Sequence, residues 1–214
     1  TGARGFIASF LVEKLNKEGR KDLVLVDELE NQEKNFNLES KEYVELVHRD
    51  NFMDWFAINA KNVNFVYHLG ARTDTAEFDV DLFNRLNLNY TKDIWNICSE
   101  NNIPLVYASS AATYGGGEHA YSDEAPIQDL KPLNPYGDSK QDFDLWAEKQ
   151  TKTPPFYAGL KFFNVYGKGE WHKGRMASVI YIAFNQIKAT NKMKLFMSHH
   201  PDFKNGEQQR DFVY

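Results

Sequence analysis

The sequence predicts an α/β protein, a Rossmann-type doubly wound parallel sheet with a smaller, truncated C-terminal domain. Three observations carry that expectation. Short apolar runs alternate with longer stretches of helical spacing, the rhythm of βαβ units. The chain opens on a glycine-rich turn, Thr1-Gly-Ala-Arg-Gly-Phe-Ile-Ala8, that leads into a helical pattern. An acidic residue, Asp27, closes the next apolar run about 20 residues beyond those glycines.

The elements follow in order. Phe6 to Leu15 has helical spacing, and Gly19 supplies a stop. Leu23–Val26 is a short unbroken apolar run, as in a strand covered on both faces. Tyr43–Val47, Val63–Leu69 and Ile103–Ser109 read the same way. A long helix is expected from Leu82 to Glu100, and another from Tyr136 to Thr151 behind Pro132 and Pro135. Phe156–Phe163 returns to strand, Met176–Ala189 to helix and Met193–Met197 to extended chain. The loops Gly115–Pro135 and Tyr166–Arg175 are long for structureless connections, and such loops often carry function. Thr1 begins inside a strand-to-helix turn and Arg210–Tyr214 stops in an apolar run. The chain therefore reads as a piece of a longer protein, without the first strand of the sheet.

Composition narrows the function classes. The 214 residues suit one domain, or one domain and part of a second. Hydrophobic residues at 42% can build a core, and charged residues at 26% are mixed in sign. A net charge of -5 lacks the basic face that nucleic-acid binding needs. No apolar run approaches the roughly 20 residues of a membrane helix. Neither nucleic acid nor membrane is expected as a partner. Cys98 has no partner for an internal disulfide and reads as a small buried apolar residue in a reducing compartment.

Two groups of residues carry chemistry. In the first, Gly2 can take backbone angles closed to other residues, and Gly5 lets the chain approach a pyrophosphate. The helix behind them offers N–H groups and a positive dipole end. Ala8 is small enough for close helix–strand packing. With Asp27 placed to meet an adenosine ribose, the pattern reads as a dinucleotide site. Asp50 and Asn51 could touch the adenine or simply close the third strand. Leu69, Gly70 and Ala71 follow the fourth strand, where small residues let backbone pass close to a cofactor, whereas His68 reads as a satisfied buried histidine. In the second group, Ser110 follows the fifth strand, and Tyr136 and Lys140 lie four apart on one helix face. A tyrosine with a pKa near 10 is a poor base at neutral pH. A nearby ammonium and a positive nicotinamide ring would favour its phenolate. Ser110 would hold the reacting hydroxyl, and the set points to reversible hydride chemistry. His119, His172, His199 and His200 show no metal-ligand spacing, so no metal is expected.

Those blocks resemble the extended short-chain dehydrogenase/reductase family, and within it the ADP-L-glycero-D-manno-heptose 6-epimerases. The residues that carry the resemblance are Thr1–Ile7, Tyr107–Gly116, Pro132–Lys140, Phe163–Gly167, His172–Ser178 and Arg210–Tyr214. The first three blocks mark the superfamily, and His172–Ser178 discriminates within it. The resemblance implies a Rossmann domain over 1–163 and, over 164–214, the start of a substrate-binding region interleaved with it. It implies epimerisation at C6 of an ADP-heptose by transient oxidation and reduction with NADP. Tyr136, Lys140, Ser110 and Lys173 become the catalytic residues, with Lys173 a second acid/base group on the opposite face of the sugar. Cofactor contacts fall to Gly2, Gly5, Phe6, Ile7, Asp27, Glu28, Lys34, Leu69, Gly70, Ala71, Asn87, Tyr136 and Lys140. Substrate contacts fall to Ser110, Asn164, Lys173, Arg175, Phe196, Arg210 and Tyr214, with the stretch to His199 beside the nucleotide. A homo-oligomer, a cytoplasmic location and a role in lipopolysaccharide core synthesis follow from the same resemblance.

Several positions depart from the family: Ala8 stands where Gly is usual, Lys161 for Arg and Lys168 for Pro. Glu28 adds a second carboxylate after Asp27, which would repel a 2′-phosphate and argues for NAD. Lys34 matches a lysine that meets the 2′-phosphate in relatives and argues for NADP, which is the reading kept. A sugar-nucleotide dehydratase would need carboxyl groups where Ala111 and Ala112 stand. A UDP-hexose 4-epimerase is the alternative enzyme, and a non-catalytic NADP-sensing module on the same fold is the alternative outside catalysis.

Overall fold

The computed structural model describes residues 1–198 and 201–214. Two compact units divide the chain, Thr1–Phe162 and Phe163–Tyr214, one residue earlier than the sequence suggested.

In the first unit the glycine turn leads into helix α1 (Phe6–Lys17), after which Gly19 adopts a left-handed φ of +83°. Strand β1 (Val24–Asp27) pairs in parallel with β2 (Glu45–His48). Helix α2 (Phe52–Asn59) follows, an element missing from the sequence reading. Strands β3 (Val66–His68), β4 (Leu105–Ser110) and β5 (Tyr157–Phe162) form a second parallel ladder. The backbone at the start of the chain joins the two ladders. The Ala3 N–H donates to the Val26 carbonyl at 3.2 Å, and the Leu69 N–H donates to the Thr1 carbonyl at 3.3 Å. This is the parallel, helix-covered sheet expected of a Rossmann-like fold.

The long helix expected over 82–100 is three consecutive pieces. They are α3 (Val80–Phe83), a π-helical turn Asn84–Asn89 and α4 (Tyr90–Glu100). Apolar periodicity predicts the helix but not the extra residue that widens one turn, and such turns concentrate at functional sites. Helix α5 (Pro135–Glu148) starts with Asn134 capping the Gly137 N–H at 2.9 Å and Pro135 in the first turn. Trp95, Ile94 and Cys98 of α4 pack with Phe143 of α5, Phe56 of α2 and Leu105 of β4 into the main core. Burial pushes the Cys98 thiol up to about 12, so it stays neutral, as a core residue should. A cavity of about 730 Å³ lies among Leu11, Val12, Leu25, Phe56 and Val66, and none of Ser110, Tyr136 and Lys140 lines it.

The second unit holds a parallel pair, β6 (Asn164–Val165) with β7 (Phe212–Val213), and helix α6 (Val179–Thr190). Between them Trp171–Met176 forms a short 3-10 segment bent at Gly174, where φ is +52°. Ser178 caps α6 through the Tyr181 N–H at 3.0 Å. Met193–Met197, expected as extended chain, pairs with no described strand. The alternation Met193, Leu195, Met197 is present, but all three side chains are exposed and no described strand pairs with them. Among the described residues no helix is long and apolar enough to cross a membrane, and no group of three His, Cys, Asp or Glu could hold a metal.

Candidate functional site

The glycine turn is built for close backbone contact. Gly2 sits at φ +70°, and a Cβ there would lie 2.6 Å from the Gly70 Cα. A Cβ on Gly70 would lie 2.9 Å from the Gly2 nitrogen. The small residues after β3 therefore serve the turn directly, backbone on backbone. Gly5 is the N-cap of α1 and places no side chain over the first turn, which holds no acidic residue. Phe6 is buried and Ile7 half-buried in that turn. The donor set fits a dinucleotide: open N–H groups at a helix N-terminus for a pyrophosphate, and an acid at the end of β1 for a ribose.

That acid is heavily engaged. The Asp27 carboxylate is buried and accepts from the Arg4 N–H at 2.8 Å, the Glu28 N–H at 2.8 Å and Lys34 Nζ at 3.3 Å. Glu28 accepts from Lys34 at 2.7 Å and from the N–H groups of Glu30 at 2.9 Å and Asn31 at 3.1 Å. Burial would raise the Glu28 pKa, but the Lys34 ammonium and those N–H donors outweigh it and hold the carboxyl at about 2. The sequence reading set Glu28 and Lys34 against each other; the structure pairs them. Asp50 and Asn51 are exposed beyond β2, where Asp50 pairs with Arg49 and its N–H donates to His48.

Asn87 stands in the π-helical turn and is 1% exposed. Its Oδ1 accepts from the Arg72 N–H at 2.8 Å, and its Nδ2 donates to the Arg72 carbonyl and to Ser139 Oγ, both at 3.0 Å. The amide is spent on protein partners. It clamps the segment just beyond Leu69, Gly70 and Ala71. His68 is the satisfied buried histidine expected, with Nδ1 2.6 Å from Thr1 Oγ1 and Nε2 2.9 Å from Thr91 Oγ1. Burial holds its pKa well below the usual value.

The second group gathers where β4 ends against the start of α5. Ser110 is the last residue of β4, and its Oγ accepts from the Ala112 N–H at 3.1 Å. Tyr136 and Lys140 lie one turn apart on α5. Burial raises the Tyr136 pKa, and a hydrogen bond from the Ser110 hydroxyl works against the rise. Lys140 does not supply the lowering expected from the sequence. Its Nζ donates to the Ala108 carbonyl at 2.8 Å, and burial brings its own pKa down to about 8 while Asp144 acts in the opposite direction. Phe83 forms an aromatic wall, its ring centre 6.3 Å from that of Tyr136.

Behind these residues lies a buried network absent from the sequence reading. Asp144 of α5 accepts from Tyr107 Oη at 2.9 Å, Ser109 Oγ at 2.7 Å and Lys161 Nζ at 2.9 Å. Lys161 also donates to Thr113 Oγ1 at 2.8 Å, and Thr113 donates to the Ser110 carbonyl at 2.8 Å. The lysine standing where the family has arginine therefore anchors the end of β4. An aspartate inside an apolar helix face is the signal that could have announced the network.

In the second unit, Glu170 is 2% exposed and accepts from the Gly167 N–H at 3.1 Å, the Ser178 hydroxyl at 2.9 Å and the Ser178 N–H. Lys173 is half-buried; burial lowers its pKa and Glu170 opposes the change. Arg175 is exposed beside it. Asn164 donates to the Asp211 carbonyl at 3.0 Å, which brings it to the residue after Arg210. Tyr214 is exposed, its ring 5.3 Å from that of Tyr166. Arg210 and Phe196 are exposed, with Arg210 Nη1 on the Gln209 carbonyl at 2.7 Å. His199 and His200 lie outside the described residues.

Residues 1–214 match the model of the NAD dependent epimerase/dehydratase family. The chain is 48% identical over 219 residues to an ADP-L-glycero-D-manno-heptose-6-epimerase of Fusobacterium nucleatum, covering 100% of this chain and 66% of that one. A protein of the same name from Nitratidesulfovibrio vulgaris is 48% identical over 217 residues, with coverage of 100% and 67%. The chain thus spans about two thirds of the length of these curated relatives. Among solved structures, the Helicobacter pylori ADP-L-glycero-D-manno-heptose-6-epimerase is similar with a TM-score of 0.79 at 25% identity, covering 100% of this chain and 67% of that one. A UDP-N-acetylglucosamine 4-epimerase from Methanobrevibacter ruminantium gives a TM-score of 0.82 at 25% identity, with the same coverage. Backbone shape therefore does not separate the two sugars, and both structures are 25% identical to this chain.

Proposed function

The chain belongs to the NAD dependent epimerase/dehydratase family, and from that premise we propose that the protein interconverts ADP-D-glycero-D-manno-heptose and ADP-L-glycero-D-manno-heptose at C6. The observation that carries the chemistry is the meeting of Ser110 with Tyr136, one helical turn from Lys140. The observation that favours the heptose is the 48% identity to proteins named for that reaction. When bound, the nicotinamide cofactor supplies a reversible hydride acceptor. Tyr136 takes the proton from the C6 hydroxyl as the C6 hydride leaves, and gives one back on reduction. Ser110 holds the reacting oxygen beside the phenol, whose pKa it works to lower. Lys140 keeps a buried amine one turn along the same helix, on the Ala108 carbonyl, where it would contact the cofactor beside Tyr136.

Epimerisation requires hydride return to the other face of the carbonyl, hence an acid/base group on each side. Lys173 takes the second role. Its half-buried position and a pKa lowered by burial suit an acid/base role. Asn164, Arg175, Phe196, Arg210 and Tyr214 would bind the sugar and nucleotide diphosphate, Arg210 through its planar fork. NADP is the preferred cofactor, since Lys34 already neutralises the carboxylate that would repel a 2′-phosphate. A cytoplasmic homo-oligomer serving lipopolysaccharide core synthesis completes the reading. A 4-epimerase acting on a UDP-hexose is the second reading, favoured by the TM-score of 0.82. Incubating the full-length protein separately with ADP-D-glycero-D-manno-heptose and with UDP-hexoses decides between them. Conversion of the heptose, lost in Tyr136→Phe, is expected; turnover of the hexose alone would overturn the assignment.

A further inference from the structure

The segment between β1 and β2 carries both Glu28 and Lys34, and one residue of the glycine turn holds it. Arg4 is 1% exposed, unusual for a guanidinium. Its side chain donates to the Glu28 carbonyl, to the Asn31 carbonyl at 2.7 Å and to Asn35 Oδ1 at 2.6 Å. Its backbone N–H donates to Asp27 at 2.8 Å, and its carbonyl accepts from Asn37 Nδ2 at 2.9 Å. Five hydrogen bonds thus tie one residue to positions 27, 28, 31, 35 and 37. Four charged groups share this place, the carboxylates of Asp27 and Glu28 with the cations of Lys34 and Arg4. A buried arginine is costly unless its fork is used, and here both terminal nitrogens are committed to the loop. None of them is spared to act as a second surface cation. The loop's own geometry depends on them: Glu28 folds back on the N–H groups of Glu30 and Asn31, and Lys34 is brought onto the acid pair.

We infer that Arg4 is the positioning residue for cofactor selectivity: it fixes residues 28–37 so that Glu28 is folded back and neutralised and Lys34 is held where the adenosine ribose of the dinucleotide must meet Asp27. The inference rests on the reading of Lys34 as the contact for a 2′-phosphate. Arg4 itself acts through the loop. Flattening the loop geometry would release Glu28 and Lys34 together, so the preference for a phosphorylated ribose would fall while the pyrophosphate turn remained.

The test is calorimetric titration of the cofactor-stripped full-length protein with NADP and with NAD. Lys34→Ala is expected to lower the NADP-to-NAD affinity ratio roughly tenfold, the loss of one charge-assisted contact. Arg4→Ala is expected to lower the same ratio by a similar factor while NAD affinity changes less than about threefold. The double variant is expected to fall no further than Lys34→Ala alone. Equal weakening of NADP and NAD in Arg4→Ala would assign Arg4 to the turn and overturn the inference. An unchanged ratio in Lys34→Ala would overturn the reading of Lys34 beneath it, which distinguishes the two failures. If Arg4→Ala does not fold, Asn35→Ala removes one of the same bonds at an exposed position. A fall of roughly twofold in the ratio supports the inference, and an unchanged ratio overturns it.

Discussion

Replacing Lys140 by methionine is expected to make the protein more stable and inactive. Lys140 is 5% exposed, and its one hydrogen bond runs to the Ala108 carbonyl. Burial lowers its pKa from 10.5 to about 8 against the opposing pull of Asp144. That fall corresponds to about 3 kcal/mol for keeping the ammonium inside the fold. Methionine keeps the unbranched stem and removes the charge. The lost hydrogen bond returns roughly 1 kcal/mol, leaving a net gain of about 2 kcal/mol near neutral pH. For a chain of this size the thermal midpoint would rise by roughly 4–8 °C. The pH dependence fixes the cause. Between about pH 8 and pH 10.5 the unfolded chain keeps a proton on Lys140 that the folded chain has released. The cost therefore fades across that window, and the stability of the parent gains on that of the variant as pH rises. Thermal unfolding followed by far-ultraviolet circular dichroism at both ends of the window measures this directly. The reasoning fails if Lys140→Met melts below the parent near pH 7, or if its advantage persists unchanged at pH 10.5.

Asp144→Asn is expected to cost about 3 kcal/mol by leaving the half-buried Lys161 without its carboxylate, a fall of roughly 6–12 °C in thermal midpoint. Because Asp144 is what holds the Lys140 pKa up, the same variant moves the pH profile of turnover to lower pH, which a rate series across pH would show. Glu170→Gln turns one of the two oxygens that accept the Gly167 and Ser178 N–H groups into a donor and is expected to cost roughly 1–3 kcal/mol, measured by thermal unfolding. Loss of its charge also lets the Lys173 pKa fall further, so any limb of the pH profile due to Lys173 shifts to lower pH.

What could be read from the sequence was local. Tyr136 and Lys140 are four apart on a helix announced by two prolines, and Ser110 closes an apolar run, so their meeting needed only the Rossmann topology. Gly2, Gly5 and Asp27 were legible for the same reason, since the fold returns β1 to the turn within about 20 residues. The partners of those residues were not. Lys161 reaches Asp144 and Thr113 across 17 and 48 positions, and Arg4 reaches Asn35 across 31, separations that periodicity does not encode. The helix Phe52–Asn59 was missed although Phe52, Trp55 and Phe56 recur at helical spacing, because eight residues are too few for the pattern to stand out.

The central claim is that a nicotinamide-mediated hydride transfer, governed by Tyr136 with Ser110 and Lys140, inverts C6 of an ADP-heptose. Running the reaction of the full-length protein in deuterated water and following the sugar by proton NMR tests it most directly. Hydride removed from C6 and returned to C6 never exchanges with solvent, so the account predicts conversion to the L-glycero epimer with protium kept at C6. Deuterium at C6 of the product, or no conversion of the ADP-heptose, would contradict it.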